Sequence, residues 1–228
     1  MNKYYCFNRN IDYKYKIEEI IQTKKLEIFS FFGIPEDYNL NLNIYVYDTI
    51  EELIKGLKDR GFSELPDYMC ACQKDEDNSL NFFEPKDNTS NNEWSKKEYE
   101  HIIFHELIHA IQFNIYGTQP EWLCEGIAKY LDGTYKNGIK WLLDNYIYKN
   151  RIPTMEELEK EFGKHEYDSY DYAYLIVNYL INNFGKDYFL EIIANKDNLN
   201  SLGQNLIVDS INYYSKKYYG NEYNFKEI

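Results

Sequence analysis

The strongest constraint on this chain of 228 residues is the segment 105–109, which reads H-E-L-I-H. On a helix, positions four residues apart lie on one face, so His105 and His109 can direct both imidazoles at one metal ion. Glu106 then lies beside that face, where its carboxylate can accept a proton from an attacking water. Two imidazoles and a carboxylate suit zinc, which keeps a fourth position open in catalytic sites. The segment therefore predicts a helix that carries a metal centre.

The residues around this segment predict that its helix is buried. Ser95 and Glu98 form an S-x-x-E capping box, typical of a helix start, and Gly117 marks the end. His101 is separated from His109 by roughly 12 Å along the helix axis, so the three histidines cannot share one metal ion. We therefore expect His101 not to be a ligand, but to be partly buried or to lie beside the ligands without binding the metal. Between the two ends runs a broad apolar stripe of Tyr99, Ile102, Ile103, Leu107, Ala110, Ile111 and Phe113.

A third metal ligand is expected from the following helix, where Glu121 and Glu125 share a face and compete for the role. Thr118 and Glu121 read as a second capping box, which gives Glu121 a structural task at the helix start. Glu125 lies deeper among apolar residues, where a carboxylate is costly unless it is paired or bound to metal. We therefore prefer Glu125 to Glu121, and we expect one Zn²⁺ per chain.

Composition narrows the classes of partner. The net charge of −13 and the pI of about 4.8 disfavour nucleic acid and anionic membranes, because both need a cationic face. No apolar run suits a signal peptide or a membrane span, so we expect a cytoplasmic location. The four cysteines form no C-x-x-C pair. Cys70 and Cys72 would point to one face of a strand, where small buried side chains are the preferred interpretation and a second metal site is the alternative.

Hydrophobic periodicity predicts an α+β fold, with a small sheet lobe of three or more strands followed by a mainly helical lobe. We expect a single domain over 1–228, with sub-lobes 1–93 and 94–228 and the metal helix at the seam. Capping boxes begin the helices at Thr49 and Thr154. In order, the predicted elements are helix 14–32, strand 42–47, helix 49–57, strands 68–73 and 80–84, the two helices already described, and helices over about 137–149, 154–162, 168–184, 186–195 and 201–219.

The two central motifs resemble a known family. H-E-L-I-H-A-I-Q, followed by P-E-W-L-C-E-G-I-A-K-Y, resembles the gluzincin zinc metallopeptidases, and most closely their small bacterial peptidase MA-like branch. The resemblance covers roughly residues 42–190. It implies a zincin-like fold that hydrolyses peptide bonds in proteins or peptides through a zinc-bound water, with Glu106 as general base and Glu125 as third ligand. No G-x-M-E-N segment is present, which favours an endopeptidase over an aminopeptidase.

Two departures and one further motif accompany this resemblance. Cys124 stands where serine is common in the family, and Lys129 where an acidic residue is common. The stretch 170–180 resembles a family helix whose leading tyrosine, here Tyr170, would stabilise the oxyanion. Because the chain has 25 tyrosines, a core or surface role for Tyr170 is the alternative, and Tyr167 or His165 would then be the donor.

The strand at 80–84 comes before the metal helix and is expected to be an edge strand above the metal. An extended peptide can pair with such an edge through backbone hydrogen bonds, and the resemblance implies this role for Asn81, Phe82 and Phe83. The alternative is an ordinary strand packed against helices.

A second function from another class stays open at this point, a non-catalytic protein-binding module that keeps the fold and the metal. Glu106 argues for the enzyme, because a structural zinc has a closed shell and needs no base.

Overall fold

The computed structural model describes residues 2–7, 11–62, 71–74, 77–84, 96–133, 138–147, 152–160, 162–163, 169–195, 202 and 205–221. The chain divides into two compact units, Met1–Gly117 and Thr118–Ile228, called the first and second unit below. The first contains a mixed four-stranded sheet and the second is helical where it is described, so the predicted α+β class is confirmed. The single domain with sub-lobes 1–93 and 94–228 stays a prediction.

The elements lie close to their predicted positions. The first unit contains β1 (Lys3–Cys6), α1 (Ile11–Phe32), β2 (Asn43–Tyr47), α2 (Ile50–Asp59), β3 (Ala71–Lys74), β4 (Ser79–Phe83) and α3 (Lys96–Tyr116). The second contains α4 (Glu121–Asp132), α5 (Gly138–Leu142) with a π-helical turn (Leu143–Ile147), α6 (Met155–Lys160), α7 (Ser169–Phe184), α8 (Lys186–Ile193) and α9 (Leu206–Tyr219). The helix predicted for 137–149 thus changes its hydrogen-bond period at Leu143.

Strand order is where the sheet departs from expectation. The order is β1-β2-β4-β3, with β1 and β4 parallel to β2, and β3 antiparallel to β4. The prediction that 80–84 is an edge strand is therefore wrong, because β4 has a partner on both sides. Strand β1 was not predicted: its four residues are mostly exposed, and its pairing with β2 is a long-range interaction that local sequence does not encode.

The core of the first unit lies between the sheet and the helices α1 and α3. Alternate residues of β2 and β4 are fully buried on one face, while α2 covers the other face through Leu53 and Leu57. This packing fixes α3 against β3 and β4. The fully buried side chains of the main core are Ile17, Ile21, Ile28 and Phe29 of α1, Ile44 and Val46 of β2, Leu80 and Phe82 of β4, and Leu107 and Ile111 of α3.

The second unit is organised around the close approach of α4 to α7. A Cβ atom at Gly126 would lie 2.5 Å from the carbonyl oxygen of Ala173 and 2.6 Å from Cγ2 of Val177, so only glycine fits there. Trp122 of α4 and Tyr172 of α7 are among the largest fully buried side chains. The close packing of the two helices therefore sets the distance between the side chains that they carry.

Side-chain capping is observed at the starts of α2 and α6. Thr49 caps α2 by accepting a hydrogen bond from the Glu52 N–H, and Thr154 and Glu157 form the predicted capping box. The capping box predicted for Thr118 and Glu121 is wrong, because the N-cap of α4 is Pro120, which makes no side-chain capping bond. Ser95 lies outside the described residues.

In the part of the chain that the structure describes, no helix combines the length and apolar character of a membrane span.

Candidate metal centre

Helix α3 brings its two motif histidines together. The Nε2 atoms of His105 and His109 are 3.1 Å apart, and the two rings are nearly perpendicular at 82°. In a tetrahedral site with Zn–N bonds of 2.0–2.1 Å, two ligand nitrogens lie about 3.3 Å apart. Both side chains are half-buried, so part of each remains exposed. The pair therefore has the spacing and the donor atoms that a zinc ion requires.

The rest of α3 explains why these side chains are held so firmly. Leu107, Ile108, Ala110 and Ile111, which flank the motif, are fully buried. His101, one turn before the motif, is exposed, so its predicted partial burial is wrong. The apolar stripe does not cover that edge of the helix.

Glu125 joins the two histidines. Among the described residues, His105, His109 and Glu125 form a group that could hold a metal ion, since each offers one ligand atom and these atoms lie within 4.8 Å of one another. Glu125 is half-buried, whereas Glu121 is exposed at the first residue of α4. The preference for Glu125 was thus argued partly from a capping box that does not form, but the burial of the two carboxylates points the same way. The set of two imidazoles and one carboxylate fits a catalytic zinc site.

Glu106 is half-buried on α3, and its charge reaches the neighbouring strand β3. Burial, followed by the negative charge of Glu106, raises the pKa of the Cys72 thiol to about 12. A thiol with so high a pKa stays protonated at neutral pH and is a poor nucleophile. The Cys72 side chain packs against the cluster of Tyr47, Leu53 and Leu57. Cys70 lies outside the described residues.

Tyr170 is the second residue of α7 and is half-buried. Its ring meets that of Phe162 edge-to-face with centroids 4.9 Å apart, and Nζ of Lys129 lies 5.1 Å from its centroid. Tyr172 and Tyr174 are buried in the second unit. Of these three tyrosines, Tyr170 is the most exposed. The alternatives Tyr167 and His165 lie outside the described residues.

The predicted substrate strand is closed to an incoming peptide. Asn81 and Phe82 are fully buried, and the Asn81 side chain is bonded to Arg60, to Ser79 and to the carbonyl oxygen of Cys72. Backbone pairing at β4, the mechanism on which the prediction depended, is occupied by β2 and β3. A role in substrate binding for Asn81, Phe82 and Phe83 stays a prediction without that mechanism.

Beyond the end of β3, two tyrosine hydroxyls complete the pairing of β4. The N–H of Phe83 donates to the hydroxyl of Tyr99 at 2.9 Å, and its carbonyl accepts from the hydroxyl of Tyr13 at 3.0 Å. Sequence reasoning missed these two hydrogen bonds, because nothing near Tyr13 or Tyr99 in the sequence distinguishes them from the other tyrosines. It also missed the contact of Lys129 with Tyr170, although the four-residue spacing from Glu125 already placed Lys129 on the ligand face of α4.

A His-His-Glu group with a second carboxylate beside it is the kind of site that metal-dependent hydrolases use. Comparison with protein families gives the same class. Residues 85–208, more than half of the chain, match the model of the peptidase MA superfamily, and the chain therefore belongs to that superfamily. Comparison with curated proteins and with solved structures found no match. Membership of this superfamily supports a peptidase-type function and protein or peptide substrates.

Proposed function

We propose that this protein is a zinc-dependent peptidase of the gluzincin type, an endopeptidase acting on intracellular proteins or peptides. The observation that carries the proposal is the half-buried group of His105, His109 and Glu125 in a member of a peptidase superfamily. The adjacent Glu106 favours an enzyme over a binding module with a structural metal, since a structural site needs no base.

Each of these side chains has a separate role in peptide hydrolysis. His105, His109 and Glu125 would hold the zinc ion, which when bound supplies a Lewis acid that polarises the scissile carbonyl. Glu106 accepts the proton of the attacking water and then delivers it to the leaving amine. The hydroxyl of Tyr170 donates a hydrogen bond to the carbonyl oxygen as negative charge develops there.

The substrate would pair with β3 and not with β4. Among the described strands, β3 (Ala71–Lys74) is outermost on its side of the sheet, so the outer side of its backbone is where a peptide can add as a further strand. Strand β3 packs against α3, and its Cys72 is close enough to Glu106 for the carboxylate to raise the thiol pKa. A peptide on this edge would lie beside the general base.

The test uses zinc-loaded protein and a proteome-derived peptide library, with and without a chelator. We expect cleavage that the chelator abolishes, and loss of at least about 10²-fold in turnover in Glu106→Gln, since general bases contribute that much or more. Glu106→Gln should keep its zinc, because the amide changes no ligand. The matched control is Glu100→Gln, which removes a carboxylate on the same helix that pairs with Lys16. If zinc-loaded wild-type protein cleaves nothing, or if Glu106→Gln is as active as wild type, the proposal is wrong.

A further inference from the structure

The ring of Tyr170 is held from two sides by residues outside its own helix. Phe162 is buried and meets it edge-to-face at 4.9 Å between centroids, with 75° between the ring planes. The N–H of Gly163 donates to Oγ of Ser169 at 3.0 Å, which ties the turn containing Phe162 to the start of α7. On the other side, Nζ of Lys129 lies 5.1 Å from the ring centroid.

Helix α4 fixes the position from which Lys129 reaches this ring. Lys129 follows Glu125 by four residues, so both project from one face of α4. The tight contact of Gly126 with Ala173 sets the distance between α4 and α7. An ammonium within about 6 Å of a ring centroid is attracted by the negative face of the ring. The contact of Lys129 with Tyr170 therefore follows from the packing of the two helices.

We propose that Lys129 is a positioning residue for Tyr170, whose ring it holds so that the hydroxyl keeps one orientation during peptide hydrolysis. The inference rests on the proposed function, because it acts through the role of Tyr170 as oxyanion donor. Orientation matters since a donor stabilises the oxyanion only at about 2.7–3.1 Å from it.

The kinetic test replaces Lys129 by methionine, which removes the charge and keeps the length of the side chain. A cation–π contact of about 0.5–1 kcal/mol corresponds to a loss of about two- to fivefold in kcat, with KM unchanged. Lys129→Arg keeps the cation and should restore kcat. In a Tyr170→Phe background, Lys129→Met should lower kcat no further, because the hydroxyl it positions is absent. The matched control is Lys140→Met, which removes an ammonium 5.2 Å from the Tyr219 ring and should leave kcat unchanged.

Two measurements separate this proposal from the proposed function. In metal-free protein, urea unfolding of Lys129→Met, Tyr170→Leu and the double variant should show a coupling of about two- to fivefold in the folding equilibrium constant. Tyr170→Met replaces Tyr170→Leu if the latter does not fold, and the same coupling is expected because methionine also lacks the ring.

Zinc affinity should be unchanged in Lys129→Met. A large change would indicate that Lys129 acts on Glu125 and not on Tyr170, and it would overturn the proposal. A coupling of one between Lys129→Met and Tyr170→Leu also overturns the proposal. So does an unchanged kcat in Lys129→Met if Tyr170→Phe lowers kcat. If the wild-type protein is inactive, only the proposed function is wrong. The unfolding measurements on the two single variants and the double variant still decide whether Lys129 fixes the ring of Tyr170.

Discussion

Replacing Gly126 by alanine tests how closely α4 and α7 must approach. The added Cβ would lie 2.5 Å from the carbonyl oxygen of Ala173, whereas ordinary contacts begin at 3.4 Å. The obstacle is a backbone atom within α7, so it cannot turn aside as the end of a flexible side chain would. The two helices must therefore separate by roughly 0.9 Å at this point, the difference between those two distances.

The cost of this separation can be worked out from two opposing effects. Overpacking in a well-packed core costs about 1–3 kcal/mol, while alanine is favoured over glycine within a helix by about 1 kcal/mol. Because the obstacle is a backbone atom, the upper end of the overpacking range applies, and after the gain from alanine the free energy of unfolding should fall by about 2 kcal/mol. In a chain of this size that lowers Tm by roughly 4–8 °C. Because Glu125 and Tyr170 lie on these two helices, a shift of about 1 Å should also lower kcat by up to roughly 10²-fold.

Thermal unfolding and steady-state kinetics on Gly126→Ala measure both effects. The matched control is the double variant Gly126→Ala, Val177→Ala, which relieves the contact with Cγ2 of Val177 but leaves the carbonyl in place. We expect no recovery of Tm in that variant. Wild-type Tm and kcat in Gly126→Ala would refute the reasoning, because the space between α4 and α7 would then be large enough for a Cβ atom.

Three further predictions follow from the metal centre and the tyrosines. Purified protein should hold about one zinc per chain after dialysis, and its affinity should fall as the pH is lowered, because protons compete for the imidazole nitrogens; metal analysis across pH checks both. Glu125→Ala should weaken zinc binding while Glu121→Ala leaves it unchanged, and the reverse result in a zinc titration would exclude Glu125 as the ligand. Tyr170→Phe should lower kcat by roughly 10²–10³ with KM nearly unchanged, whereas Tyr172→Phe and Tyr174→Phe should keep kcat near the wild-type value; equal losses in all three would point to a packing effect.

The features that sequence predicted well are local ones. The histidine pair of α3 follows from helical spacing alone, and the Thr49 cap follows from one side chain and a backbone group three residues on. The absence of the predicted capping box at Thr118 also has a local cause. A helix starting at Thr118 would require Gln119 to be helical, and the residue before a proline avoids that conformation. Pro120 therefore becomes the N-cap.

The features that sequence missed depend on contacts between distant segments. Nothing in the pattern of β4 distinguishes an inner strand from an edge strand, because the strand order is decided by pairing with β2 and β3. The hydrogen bond from the hydroxyl of Tyr13 to the carbonyl oxygen of Phe83 could not be predicted either, because the two residues are seventy positions apart in the sequence. At the candidate site, therefore, the group that could hold a metal was predictable from sequence, and the strand order beside it was not.

The strand order also bears on how the sheet forms during folding. Only β3 and β4 are antiparallel neighbours in sequence, so theirs is the one described pairing that a short turn can nucleate. The two parallel pairings join Lys3 to Asn43 and Asn43 to Ser79, and each requires a long loop to close before any ladder bond forms. Pairings of this kind form slowly, and until they close they leave unpaired strands open to other chains. Assembly of β1 and β2 onto the β3–β4 hairpin is therefore expected to limit the refolding rate and to be the stage most prone to aggregation.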